Sequence, residues 1–123
     1  MPTLYIVTGP PGSGKTTYST QQDLPVFDHD LENKHDWQQC PTDCILNTAA
    51  PSRENKEYWR AKAISHGFQP VVLVMWVPRM VALQRMQQRS GRVKTQRNNL
   101  SKGVERWYRE YSPHREERRV HSS

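Results

Sequence analysis

The stretch GPPGSGKTT, at positions 9–17, contains the residues of this chain best suited to chemistry. Gly9, Pro10, Pro11, Gly12, Ser13, Gly14, Lys15 and Thr16 satisfy the spacing G-x-x-x-x-G-K-[ST], and Thr17 follows them. Glycines at these points let the backbone curl until its N–H groups face inward, in conformations that a Cβ would obstruct. Lys15 sets a cation against the outer phosphates of a nucleotide, and the Thr16 hydroxyl suits a Mg2+ ion. The apolar run LYIVT before the loop reads as a strand, and the residues from Lys15 as a helix whose positive end adds to the cradle. ATP is therefore the expected ligand of residues 9–17, with Mg2+ as cofactor.

What happens to the terminal phosphate depends on the other charged groups. A hydrolytic switch or motor usually carries a metal-binding acid at a strand end and a residue that positions the attacking water. Here the third and fourth apolar runs end CILNT and VMWVP, with no acid. The carboxylates at a strand end lie in VFDHDLE, after the second run. In an open parallel sheet the C-terminal ends of the strands line the ligand crevice, so Asp28 and Asp30 face the nucleotide. A carboxylate there can accept the proton of an attacking hydroxyl, which is transfer chemistry. Asp30 is the expected general base, and Asp28 the residue left for the acceptor or for a helix cap. In PRMVALQRMQQRSGR, Arg85 and Arg89 are four apart on one helical face, where a closing lid would bring them over the γ-phosphate.

These groups must be positioned by alternating strands and helices. The pattern predicts strands near 4–8, 25–28, 44–47 and 71–77. Helices are expected from Lys15 to before Pro25, from Ser52 as N-cap to the stop at Gly67, from Pro78 to about Ser90, and over 100–111. Tyr58, Trp59, Ala61, Ala63 and Ile64 are the apolar positions able to form a core-facing stripe on the second of these helices. Strands each followed by a helix imply a parallel sheet with right-handed crossovers. The expected fold is an α/β three-layer sandwich with a small, about four-stranded parallel sheet and an arginine-bearing helical lid. It occupies residues 1–111, with the lid at about 79–99, and residues 112–123 read as a basic, flexible tail.

At 123 residues there is chain for one core. The apolar fraction is 34%, bunched into short runs, so a folded sheet is favoured over disorder. No apolar run approaches the ~20 residues of a membrane helix, and no secretion signal is evident, so a cytoplasmic location is expected. Residues 1–78 carry 6 Lys/Arg against 8 Asp/Glu, whereas residues 79–123 carry 12 against 4. That asymmetry points to an anionic partner for the last third of the chain: nucleotide phosphates or a nucleic-acid backbone. Cys40 and Cys44, in CPTDC, read as reduced thiols, because a zinc site would need a further ligand besides His35 and more usual spacings. No obligate protein partner is evident.

From the loop to Tyr111 the chain resembles the 5′-hydroxyl kinase domain of the phage polynucleotide kinases. The resemblance is carried by GPPGSGKTT, by DHD after the second strand, by NTAAPSRENKEYWRAKAISHGFQ after the third, by RMQQR and by VERWYREY. It implies a four-stranded parallel core, ATP as donor and a nucleic-acid 5′-hydroxyl as acceptor. By motif position Lys15 and Thr16 would bind ATP and Mg2+, Asp30 would be the base, Arg85 and Arg89 would grip the phosphates, and Thr48 would lie near the acceptor. Asp28, Lys34 and Arg53 complete the expected acceptor-side set. The match departs at Asn33, where an arginine is expected with Lys34 beside it, and at Asn47, where an acid is expected. Trp37, Tyr58 and Trp107 are available for base stacking, with at most one expected to touch a base. Two other readings remain: a kinase for a nucleoside, nucleotide or hydroxymethylated base in DNA, and a nucleotide-dependent regulatory or toxin-like module with slow hydrolysis.

Overall fold

The computed structural model describes residues 1–29, 35–88 and 94–121, with backbone alone for 94–100. β1 (Thr3–Thr8) leads through the glycine loop into α1 (Lys15–Thr20), then β2 (Val26–Asp28). A 3-10 turn (Asp36–Gln39) precedes β3 (Cys44–Thr48), α2 (Arg53–Ser65) and β4 (Gln69–Trp76). α3 (Arg79–Gln87), α4 (Lys94–Glu110) and β5 (Glu117–His121) complete the chain. The strands form one parallel sheet in the order β2-β3-β1-β4-β5.

Strands β1 and β4 alternate between two buried faces, as a parallel sheet covered on both sides requires. Leu4, Ile6 and Val72 face Trp59 and Ala63 of α2, together with Trp37 and Phe68. Val7, Leu73 and Met75 face the opposite side, where Tyr18 and Leu24 pack. A third cluster, Val77, Ala82, Met86 and Val104, joins α3 to α4 beyond the end of β4. The start of α2 is fixed by a reciprocal cap in which the Ser52 hydroxyl accepts from the Asn55 amide, and Gly67 leaves the helix at φ +84°.

Two expectations are corrected. The sheet has five strands, not four, because Glu117–His121 pairs along β4 instead of forming part of a flexible tail. β5 shows little apolar periodicity: only Val120 reaches the core, and its arginines lie on an exposed sheet edge, where charge discourages pairing with other chains. The buried stripe of α2 is Lys56, Trp59 and Ala63, while Tyr58 and Ile64 are more than half exposed. In addition, α4 begins at Lys94, so part of the segment read as a lid connection is helical.

Burial of Lys56 is explained by what it holds. Its ammonium donates to the carbonyls of Pro51 (3.0 Å) and Ser112 (2.8 Å), pairs with Glu117 at 3.1 Å, and sits 4.4 Å from the Tyr111 ring centre. Burial draws the Lys56 ammonium below the usual lysine range, against the pull of Glu117. Burial pushes Glu117 up, but hydrogen bonds from Tyr111, the His114 amide and Lys56 outweigh it and hold the carboxyl below its ordinary value. His114 accepts from the Glu116 amide at Nδ1, so Nε2 carries the proton and donates to Glu57 at 2.6 Å. The segment after α4 is thereby stapled to α2.

Candidate active site

The crevice lies where the chain's connections diverge. From β1 the chain runs through α1 toward β2, at the edge beyond β3; from β3 it runs through α2 to β4, on the far side of β1. Thr8 and Thr48 are register partners, so the glycine loop and the 49–51 turn leave the sheet level with each other, about 4.8 Å apart. Asp28 pairs in register with Asn47 on the next strand out.

The loop is held open by glycine geometry. Gly12 and Gly14 have φ of +79° and +90°. A Cβ on Gly12 would come within 3.0 Å of the Ala82 carbonyl and 3.1 Å of Met86 Cε, because α3 packs directly on the loop. The Lys15 ammonium donates to the Gly9 carbonyl at 2.8 Å, and Arg85 Nη1 donates to the Gly12 carbonyl at 2.9 Å. Both cations therefore sit at the loop, each with a backbone carbonyl among its partners. The Ser13 hydroxyl is buried there without a hydrogen-bond partner among the described residues. An orphaned donor inside a left-handed backbone curl fits a polyphosphate, and Thr16, exposed in the first turn of α1, is the residue that could hold its Mg2+.

Beside the loop is a cleft of ≈ 560 Å³ between α2 and α4. Pro11 forms its loop-side wall, Thr48 and Ala49 its floor, Asn55, Tyr58, Trp59 and Lys62 one side, and Gly103, Arg106, Trp107 and Glu110 the other. His29, the residue after β2, stands at its edge with its ring 5.1 Å from Trp59. α4 is held over this floor by the Trp107 indole, which donates to the Ala49 carbonyl at 2.7 Å, and by the bond from the Tyr108 hydroxyl to the Val77 carbonyl.

Lys15, Arg85 and Thr48 come together around the loop and the cleft. Asp30, Lys34 and Arg89 lie outside the described residues. Arg53 is not part of the cleft: it is exposed at the first turn of α2, 3.7 Å from Glu54, in a separate groove with His114 and Arg115. Of the stacking candidates, Trp37 is core, Trp107 is 3% exposed, and Tyr58 alone presents an open ring, at 57%. Asn47, where an acid was expected, accepts from the Ser19 hydroxyl at 2.6 Å and ties α1 to β3. Sequence reasoning missed Lys62 and Arg106; the Lys62 ammonium lies 5.6 Å from the Tyr58 ring centre and 5.5 Å from that of Trp59, a grouping with no signature in the sequence.

No family model matches the chain, and no curated protein matches it. Solved structures do. A gluconokinase from Sinorhizobium meliloti superposes with a TM-score of 0.67 at 15% identity, over 98% of this chain and 82% of that one. A sugar kinase from Janibacter sp. gives 0.62 at 16% identity, over 99% and 85%. The chain shares the parallel α/β fold of these structures. No helix among the described residues is long and apolar enough to cross a membrane.

Proposed function

We propose that the protein is an ATP-dependent phosphotransferase that moves the γ-phosphate to a hydroxyl, the acceptor being the 5′-hydroxyl of a polynucleotide. The observation that carries the transfer reading is adjacency: Pro11 of the phosphate loop and Thr48 line the same cleft, so a donor and an acceptor would share a wall. The loop amides and Ser13 receive the phosphates, Lys15 and Arg85 exchange their carbonyl partners for phosphate oxygens, and Thr16 would hold Mg2+. When bound, Mg2+ supplies charge neutralisation between the β- and γ-phosphates. The acceptor hydroxyl attacks the γ-phosphorus, a new O–P bond forms, the bond to the β-phosphate oxygen breaks, and ADP leaves with that electron pair. Asp30, two residues beyond the end of β2, takes the hydroxyl proton.

For the acceptor, the support is the segmental resemblance, the basic last third of the chain, and Tyr58 exposed beside Lys62 on the cleft wall. A second reading, a small alcohol such as a sugar or nucleoside, is favoured by the size of the cleft, within the roughly 300–1,000 Å³ of small-ligand pockets. It is also in keeping with the gluconokinase and the sugar kinase that share the fold. Labelled ATP offered to 5′-hydroxyl oligonucleotides, nucleosides, nucleoside 3′-monophosphates, sugars and hydroxymethylated duplex separates them. Label on the oligonucleotides, lost when their 5′ ends are already phosphorylated, is the expected result; label on the sugars alone overturns the acceptor assignment.

A further inference from the structure

We infer that the exposed face of α4 bearing Lys102, Arg106 and Arg109 is a track for the phosphodiester backbone of a single-stranded nucleic acid leaving the cleft, an inference that rests on the acceptor being nucleic acid. These residues fall at i, i+4 and i+7, on one side of the helix. All three are exposed, and they line a second groove with Ser101 and Glu105. Arg106 lines both this groove and the cleft, so the two surfaces are continuous at that residue.

The carboxylates within the stripe are already matched: Glu105 pairs with Arg79, and Glu110 with Arg106 at 2.9 Å. Lys102 and Arg109 have neither a hydrogen bond nor an ion pair among the described residues, so the face is net positive and has donors to offer. From Lys102 to Arg109 the helix rises about 10 Å. That span is longer than one phosphate-to-phosphate step of an extended single strand, so more than one phosphodiester can lie against it. A chain whose first nucleotide lies over Thr48 would meet Arg106 first, with Lys102 and Arg109 flanking it on either side along the helix. An anionic membrane is the poorer match, because among the described side chains of α4 the apolar Val104 and Trp107 are buried in the protein and not turned toward a bilayer surface.

The test is fluorescence anisotropy with labelled oligo(dT) of 2, 4, 8 and 16 nucleotides, without ATP, for the wild type, Lys102→Ala/Arg109→Ala and Lys102→Glu/Arg109→Glu. Affinity should rise with length while added phosphates still reach the groove, and then level off. The alanine pair should lower the log–log salt slope by about 1.4, from two contacts at ~0.7 each, and the glutamate pair should weaken the 16-mer at least tenfold. Unchanged thermal melting of both variants assigns the loss to the surface. Length-independent binding, an unaltered salt slope, or equal competition by phosphatidylserine vesicles would overturn the track. If oligonucleotides bind as expected yet receive no phosphate, the track stands and the kinase acceptor assignment fails.

Discussion

Arg85 of α3 donates a 2.9 Å hydrogen bond to the carbonyl of Gly12, 73 residues earlier in the chain. The helix expected to act as a lid is therefore docked on the phosphate loop through the same guanidinium expected to meet the γ-phosphate. Moving that group a short way onto a phosphate oxygen exchanges a neutral acceptor for a charged one. Arg85→Ala should lower kcat by about 10²–10³ with a smaller change in the KM for ATP, as for loss of a donor felt mainly in the transition state. Steady-state kinetics on the favoured acceptor checks this; an effect confined to KM would show that Arg85 contributes ground-state binding only.

Gly12 should tolerate no side chain. Its φ of +79° and the 3.0 Å approach of the Ala82 carbonyl both act against alanine. The left-handed conformation alone costs a non-glycine residue roughly 1–2 kcal/mol. Gly12→Ala should lower the melting temperature and weaken ATP binding together, read by thermal scanning and calorimetric titration, because relieving the clash means moving the loop off α3.

The Lys56–Glu117 pair should behave as a buried unit. Removing one partner strands the other charge, so Lys56→Met or Glu117→Gln alone should cost about 3–5 kcal/mol, and the double variant less than the two singles combined. Glu117 has a folded pKa below its unfolded one. Its contribution is therefore fully present above the unfolded glutamate value near ~4.3 and is lost as pH falls through the folded value. Glu117→Gln should flatten the acid limb of the stability curve, measured by denaturant titration between pH 6 and 3. An unchanged limb would show that the pair is not coupled to folding.

Tyr58 and Trp107 face the same cleft but should part company on mutation. Trp107 is 3% exposed and anchors α4 through the Ala49 carbonyl, so Trp107→Ala should destabilise the protein by about 3–5 kcal/mol. Tyr58 is 57% exposed, and its loss should leave stability within about 0.5 kcal/mol while raising the acceptor KM. Chemical denaturation alongside acceptor kinetics distinguishes the two effects.

The contrast between α2 and β5 shows what was legible in the sequence. The glycine loop, the Ser52 cap, the Gly67 stop and the apolar run of β4 are local signals, and each marks its element at or within a residue or two of its place. Lys56 and β5 are different, because neither is apolar and each is buried or ordered by the other. Their partnership spans most of the C-terminal half, through an ion pair that no periodicity announces. For the same reason the stripe of α2 was read onto Tyr58 and Ile64, which look apolar in sequence yet face outward. The phosphate loop was legible because its chemistry demands particular residues. The wall formed by Lys62 and Arg106 was not, because it exists only once α4 is laid against α2.

The central claim is that a carboxylate after β2 takes a proton from an alcohol while the loop holds ATP. The most direct measurement compares transfer from γ-labelled ATP to a 5′-hydroxyl oligonucleotide by the wild type and by Asp30→Asn, with ATP affinity measured on both. The account predicts that labelling by the variant collapses while ATP binding stays within about twofold, since only the proton acceptor has been removed. Undiminished labelling by Asp30→Asn would contradict it.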